Sequence, residues 1–116
     1  MTDLVACISD ESGLLNHVKR VVEGENWNTV FLIAQKRFPV KIEKKFELIV
    51  IDEAKTISEI SHELKNRLNG KIKGIEVAVN LVCGYGKAHM ALMSALLKLG
   101  LAIRFIALTK EGVREV

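Results

Sequence analysis

The chain has 116 residues, 49% of them hydrophobic and 27% charged, with a formal net charge of +3. This length and balance predict a single folded domain over residues 1–116 and exclude a disordered chain. No apolar run approaches the ~20 residues of a membrane helix, and the first residues lack the basic region of a signal peptide. The two cysteines, Cys7 and Cys83, are too few for a disulfide framework or a set of metal ligands. We therefore expect a cytoplasmic protein with no metal, no cofactor and no membrane partner.

The positive charge is concentrated in residues 36–45, where five basic residues less one acidic residue leave a local charge of +4. The overall excess is too small for a protein that coats nucleic acid, so extended DNA or RNA binding is not expected. The segment can attract a phosphate-bearing ligand over long range, or it can be a solvated loop that keeps neighbouring strands soluble. The sequence leaves both interpretations open.

Three short apolar runs in the first half of the chain predict strands, at residues 4–8, 27–34 and 46–51. Between the first two, apolar residues recur at helical spacing from Leu14 to Val22. Gly24 follows where the C-terminal cap of that helix belongs.

The second half of the chain predicts two helices and two strands. Thr56 and Glu59 have the spacing of a capping box, which opens a helix that runs to Leu68. A fourth strand at residues 75–82 and a helix at 87–99 follow. A fifth strand at 101–108 and a polar tail at 109–116 end the chain.

The element order β-α-β-β-α-β-α-β predicts an α/β fold. Strands joined through right-handed helical crossovers pair in parallel, which favours a Rossmann-like open, mainly parallel five-stranded sheet with helices on both faces. With strand order 3-2-1-4-5, ligands are expected beyond the carboxyl ends of strands one and four. The loops at that point are residues 9–13 and 83–87.

The loop at residues 83–87 has the composition of an anion site. Gly84 and Gly86 let the backbone approach a ligand, the next helix offers free N–H groups, and Lys87 adds a positive charge. The alternative is a tight turn whose glycines serve geometry alone. Leu81 and Ala88 exclude a Walker A loop, and His89 stands where a dinucleotide fingerprint needs glycine.

The last predicted helix is apolar on almost every side, which predicts a covering partner. A two-fold homodimer is the simplest partner, and the alternative is that the sheet and a neighbouring helix cover it. Its apolar residues are Ala88, Met90, Ala91, Leu92, Met93, Ala95, Leu96, Leu97 and Leu99.

Residues 79–90, Val-Asn-Leu-Val-Cys-Gly-Tyr-Gly-Lys-Ala-His-Met, resemble the CARF (CRISPR-associated Rossmann fold) domain. In that family the fourth strand ends in Asn/Asp-Leu-Thr/Ser-Gly-Gly-Thr-Lys before a methionine-rich helix. The resemblance implies a homodimer that binds a cyclic oligoadenylate across its two-fold axis in type III CRISPR defence. A stand-alone domain of this kind is similar to the ring nucleases, in which a ribose 2′-hydroxyl attacks the adjacent phosphate, without metal, to give a 2′,3′-cyclic phosphate.

The resemblance also implies roles for the residues of both loops. Lys87, Ser12 and His89 are the candidate catalytic residues, with Lys87 for charge and His89 as a proton carrier. Ser9 and Ser12 are expected to bond ribose or phosphate, and Tyr85 to stack on adenine. With Gly84, Gly86 and Lys87 they complete the expected ligand site. Whether the protein cleaves the ligand is left open, as are a non-catalytic messenger-binding module and a general nucleotide- or phosphate-binding module.

Overall fold

The computed structural model describes residues 2–116 and has an α/β fold with a six-stranded, mostly parallel sheet and three helices. The apolar runs form the strands, and the stretches of helical periodicity form the helices between them. The strands are β1 (Asp3–Cys7), β2 (Val30–Ala34), β3 (Glu47–Val50), β4 (Glu76–Asn80), β5 (Ala102–Thr109) and β6 (Gly112–Glu115). The helices are α1 (Ser12–Glu23), α2 (Ile57–Leu68) and α3 (Gly86–Lys98).

The strand order is β3-β2-β1-β4-β5-β6, and the first five strands run in parallel. This confirms the predicted order 3-2-1-4-5. Leu4 of β1 is in register with Val30 on one side and Ala78 on the other, so β1 lies in the middle of the sheet. The chain leaves β1 towards β2 and later returns to β4, which places the change of direction between β1 and β4.

The sixth strand corrects the predicted polar tail at residues 109–116. The chain turns at Thr109, whose hydroxyl donates to the Gly112 carbonyl oxygen at 2.8 Å. It then pairs antiparallel with β5, with Val113 in register with Leu108. Because β6 has only four residues and its one buried side chain is Val113, the alternation that marks a strand is too short to be seen in the sequence.

The side chains of β1 alternate between two hydrophobic clusters. Val5 and Cys7 belong to a cluster that includes buried residues of α2 and α3. Leu4 and Ala6 belong to a cluster that includes the buried residues of α1. Successive side chains of a strand point to opposite faces, so β1 is covered on both sides. Within residues 2–116, no helix has the length and apolar character needed to cross a membrane.

The predicted capping box at the start of α2 is confirmed. Thr56 Oγ1 accepts from the Glu59 backbone N–H at 3.1 Å, and the Thr56 N–H donates to Glu59 Oε1 at 3.0 Å. The first N–H groups of a helix have no partner inside it, so these bonds satisfy donors that would otherwise need water.

Replacing Thr56 by Ala is expected to lower the free energy of unfolding by about 1 kcal/mol, because the Glu59 N–H loses its acceptor. Urea unfolding at neutral pH measures the change. Ser58→Ala is the matched control, since Ser58 is an exposed residue in the same turn and makes no capping bond. Equal losses in the two variants would contradict this account of the cap.

Candidate functional site

The loops that follow β1 and β4 meet at the carboxyl edge of the sheet. Ser9, two residues after β1, has its Oγ 3.3 Å from Sγ of Cys83, three residues after β4. Ser9 is half-buried, whereas Cys83 is fully buried. The two loops expected to form the site are therefore in direct contact.

Gly84 is needed by the folded chain itself. Its φ angle is +94°, a region that favours glycine. A Cβ at this position would lie 3.2 Å from the Cys7 Cβ and 3.3 Å from Nε2 of His89. Gly86 differs, because its φ is not positive and a Cβ there would meet nothing within 4 Å. The space beside Gly86 is open to a ligand.

His89 holds the loop from inside α3. Its Nε2 donates to the Cys83 carbonyl oxygen at 2.7 Å, and the ring is half-buried. Because a carbonyl oxygen only accepts, the Nε2 proton is engaged within the protein. The structure therefore gives His89 a positioning contact to the loop.

Lys87 is directed towards the loop between β3 and α2. Its Nζ donates to the Glu53 carbonyl oxygen at 2.6 Å, and the side chain is half-buried. An ammonium group has two further protons, so this contact leaves donors for a second acceptor. Lys87 thus ties α3 to a neighbouring loop in addition to any contact with ligand.

Ser12 and Tyr85 are the exposed members of the expected site. Ser12 is the first residue of α1 and lines a shallow hollow with Lys19 and residues 39–42. Tyr85 occupies the N-cap position of α3, and 55% of its surface is exposed. Of the three candidate catalytic residues, Lys87 and His89 therefore bond to two different loops, and Ser12 lines a hollow beside residues 39–42.

The basic segment 36–45 lies over the α1 side of the sheet. Phe38, Val40 and Ile42 pack against the cluster that contains the buried residues of α1. Lys36 reaches back to Asp10, with Nζ 3.1 Å from Oδ2. The hydrogen bond from Lys36, followed by its positive charge, lowers the pKa of the exposed Asp10 carboxyl below its ordinary value. This pair joins the loops after β1 and β2.

A cleft of about 140 Å³ opens between those two loops and Tyr85. The sequence did not predict this cleft, because its residues come from three loops that no motif connects. Among the residues from Thr2 onward, the buried side-chain nitrogen Nε2 of Gln35 has no hydrogen-bond partner. The lining residues are Ile8, Ser9, Asp10, Gln35, Lys36, Phe38 and Tyr85.

Asn80 forms a buried polar network at the end of β4 that the sequence did not reveal. Its Nδ2 donates to the Ile106 carbonyl oxygen at 2.8 Å and lies 3.2 Å from Nε2 of His17. The Val82 N–H donates to Asn80 Oδ1 at 3.3 Å. These bonds fix the first residues of the β4–α3 loop. The only sequence signal was a polar residue at the end of an apolar strand.

Neither cysteine is placed to act as a nucleophile. Both are free and buried, and burial, with a smaller effect of Cys83, raises the pKa of the Cys7 thiol to about 12. A thiol with this pKa carries almost no thiolate at neutral pH. Across residues 2–116, no three histidine, cysteine or acidic side chains are grouped to hold a metal ion.

Comparison with protein-family models and with curated proteins found no match to this chain.

Substitution of Gly84 by Ala is expected to lower the free energy of unfolding by about 1–3 kcal/mol, because alanine resists a positive φ and its Cβ crowds Cys7. Gly86→Ala is the matched control. It adds the same methyl group in open space at a helical position, where the change is expected to be neutral or stabilising by up to about 1 kcal/mol. Thermal unfolding of both variants measures the difference, and a Gly84→Ala protein as stable as the control would refute the close-packed loop.

Proposed function

We propose that the protein binds a cyclic oligoadenylate in the crevice between β1 and β4 of a Rossmann-like α/β domain. The observation that carries the proposal is a pair of uncapped helix starts at this crevice. α1 follows β1 and α3 follows β4, and neither has a side-chain cap hydrogen bond or an acidic residue in its first turn. Their free N–H groups and positive dipole ends favour an anion such as a phosphodiester. The start of α3 carries the argument further, because the N-cap residue of α1 is the acidic Glu11, whereas that of α3 is Tyr85.

The contrast with α2 supports this interpretation. α2 begins after β3, the edge strand two places from β1, and it has both a side-chain cap and an acidic residue, Glu59, in its first turn. Side chains thus satisfy backbone N–H groups at the start of α2. The corresponding N–H groups at the starts of α1 and α3 have no side-chain acceptor. Gly86 opens space at the start of α3, and the exposed ring of Tyr85 is available to stack on a base.

The resemblance of residues 79–90 to the CARF domain supports the choice of a cyclic oligoadenylate among anionic ligands. Such a messenger is a ligand of type III CRISPR defence in the cytoplasm. The protein would accordingly act in the cytoplasm as part of that defence. Lys87 and His89 are each bonded to a backbone carbonyl oxygen of the protein, which favours binding over cleavage. Chromatography of the ligand after incubation distinguishes a ring nuclease, which releases linear products, from a binding module, which returns the ring intact.

The proposal includes a homodimer through the exposed side of α3. α2 covers one side of this helix, where Ser61 Oγ donates to Ser94 Oγ at 3.0 Å. Met90 and Leu97 share another face, since they are seven residues apart, and each is 62% exposed. On β5, Phe105 is 40% exposed and lies on the same face as Ile103, which packs against the cluster containing α3. These apolar residues are a suitable surface for a second copy.

Replacing Gly86 by Asp tests the anion site. The side chain enters open space at the start of α3, where a carboxylate is expected to stabilise the helix by about 0.3–1 kcal/mol. The same charge is expected to weaken binding of cyclic tetra-adenylate or cyclic hexa-adenylate about tenfold or more, since it occupies the site and repels phosphate. Isothermal titration measures affinity, and thermal unfolding measures stability.

Ser58→Asp is the control for this substitution, because it adds the same charge in the first turn of α2, whose start is already capped. Its affinity is expected to equal that of the unmodified protein. Unchanged binding in Gly86→Asp would reject the start of α3 as the site. If the protein binds simple phosphates or other nucleotides as tightly as cyclic adenylates, its ligand is a general phosphate compound and not a cyclic oligoadenylate.

Replacing Leu97 by Glu tests the dimer. A charge in the proposed interface is expected to convert a dimer into a monomer, as measured by light scattering at micromolar protein concentration. Leu96 is unsuitable for this test, because it is fully buried within the protomer. Leu14→Glu on α1 is the control and should leave the dimer intact. A 12.9 kDa species for the unmodified protein would remove the homodimer from the proposal.

A further inference from the structure

A separate hollow, here called the amino-edge hollow, lies where the chain enters strands β2 and β3. It is lined by residues from the segments 28–31 and 45–47 and from the segment 70–73 between α2 and β4. Its volume is about 470 Å³, within the roughly 300–1,000 Å³ of pockets that hold small molecules. Because β1 to β4 are parallel, this hollow and the crevice lie at opposite edges of the sheet.

The carboxylate of Asp3 holds two sides of the amino-edge hollow. It is fully buried, and it accepts from Asn28 Nδ2 at 2.9 Å and from the Lys73 N–H at 2.6 Å. Both Asn28 and Lys73 line the hollow. Groups that are held in place before binding lose little freedom when a ligand arrives. The walls are therefore positioned by bonds within the folded chain.

The lining of the amino-edge hollow has an excess of positive charge. Three lysines less one glutamate leave a formal charge of +2. The glutamate, Glu47, is paired with Lys71, whose Nζ lies 3.0 and 3.1 Å from the two carboxylate oxygens. Within residues 2–116, the exposed side chains of Lys45 and Lys73 form no ion pair. Their two ammonium groups are available to an anion.

The surface between these charges is mostly apolar. Phe31 and the half-buried Phe46 line it, and the stems of the lysines add methylene groups. All three helices of the described chain begin at the opposite edge, since each follows the carboxyl end of a parallel strand. The hollow thus lacks the helix N-terminus that commonly binds phosphate. Apolar walls beside side-chain cations suit a carboxylate on an apolar body.

We infer that the amino-edge hollow is a binding site for a small carboxylate with an apolar, ring-sized body. Lys45 and Lys73 bind the carboxylate through charge-assisted hydrogen bonds, and the apolar body packs against Phe46. The site shares no residue with the loops 9–13 and 83–87 at the crevice. The inference therefore does not depend on the proposed function.

NMR titration of ¹⁵N-labelled protein with 2-naphthoate locates the site and measures its affinity. We expect the backbone amide signals of Thr29, Phe46 and Lys73 to shift together, while that of Gly86 at the crevice stays in place. 2-Naphthalenemethanol has the same rings without the charge, and acetate has the charge without the rings. Each is expected to bind about tenfold more weakly than 2-naphthoate, or less tightly still.

Lys45→Gln and Lys73→Gln test the two charges. Glutamine at position 73 keeps the backbone N–H that bonds to Asp3, so the wall is preserved. Each substitution is expected to weaken binding of 2-naphthoate about two- to fivefold, and the double variant about tenfold, because exposed charges contribute modestly. Lys110→Gln is the matched control, since Lys110 is an exposed lysine in the turn between β5 and β6. It should bind as the unmodified protein does, and thermal unfolding should be the same in all variants.

Equal affinity for 2-naphthoate and the alcohol, or full affinity in the double variant, would show that the hollow is not an anion site. Equal affinity for acetate and 2-naphthoate would show that the apolar walls take no part. Amide shifts at Gly86 without shifts at Phe46, or no shifts at millimolar 2-naphthoate, would overturn the site altogether. Cyclic oligoadenylate binding is measured separately with Gly86→Asp, so either proposal can fail while the other stands.

Discussion

Strand β1 is hydrogen-bonded to β2 on one side and to β4 on the other, and all five of its residues are buried. Its amino end is fixed by the buried carboxylate of Asp3, which accepts from Asn28 Nδ2 at 2.9 Å and from the Lys73 N–H at 2.6 Å. Asn28 precedes β2 and Lys73 precedes β4, so one side chain aligns three strands. Because β1, β2 and β4 are parallel, this alignment brings the loops that follow them to the same edge of the sheet.

The loops after β1 and β4 meet where the chain leaves these two strands in different directions. α1 and α3 begin at the same edge of the sheet, and their buried residues belong to different clusters. The loop after β4 must then turn sharply beside β1, which Gly84 permits and the hydrogen bond from His89 to Cys83 maintains. The residues that make the loop conspicuous in the sequence thus serve its geometry. The groups without a capping partner at the starts of α1 and α3 are backbone N–H groups, which form no pattern in a sequence.

The sequence predicted the strand order and the cap of α2 because each depends on local patterns. Apolar runs mark buried strands. A capping box requires Ser or Thr at the N-cap and Glu or Gln three residues later, which is the spacing of Thr56 and Glu59. It missed β6, whose four residues carry too short a pattern. It also could not separate buried Leu96 from exposed Leu97 on α3, since a helix that is apolar all round has no periodicity that marks its covered face.

The proposed anion site and the proposed partner surface belong to one helix, and this links them physically. Met90 follows Gly86 by four residues, which is about 6 Å along a helix axis. A second copy that covers Met90 would therefore lie close to the start of α3, and a ligand bound there could contact both copies. If a ligand binds the dimer more tightly than it binds the separate chains, it stabilises the dimer by mass action. Assembly and ligand affinity would then depend on each other, so that the affinity measured for a cyclic ligand rises with protein concentration until the dimer is complete.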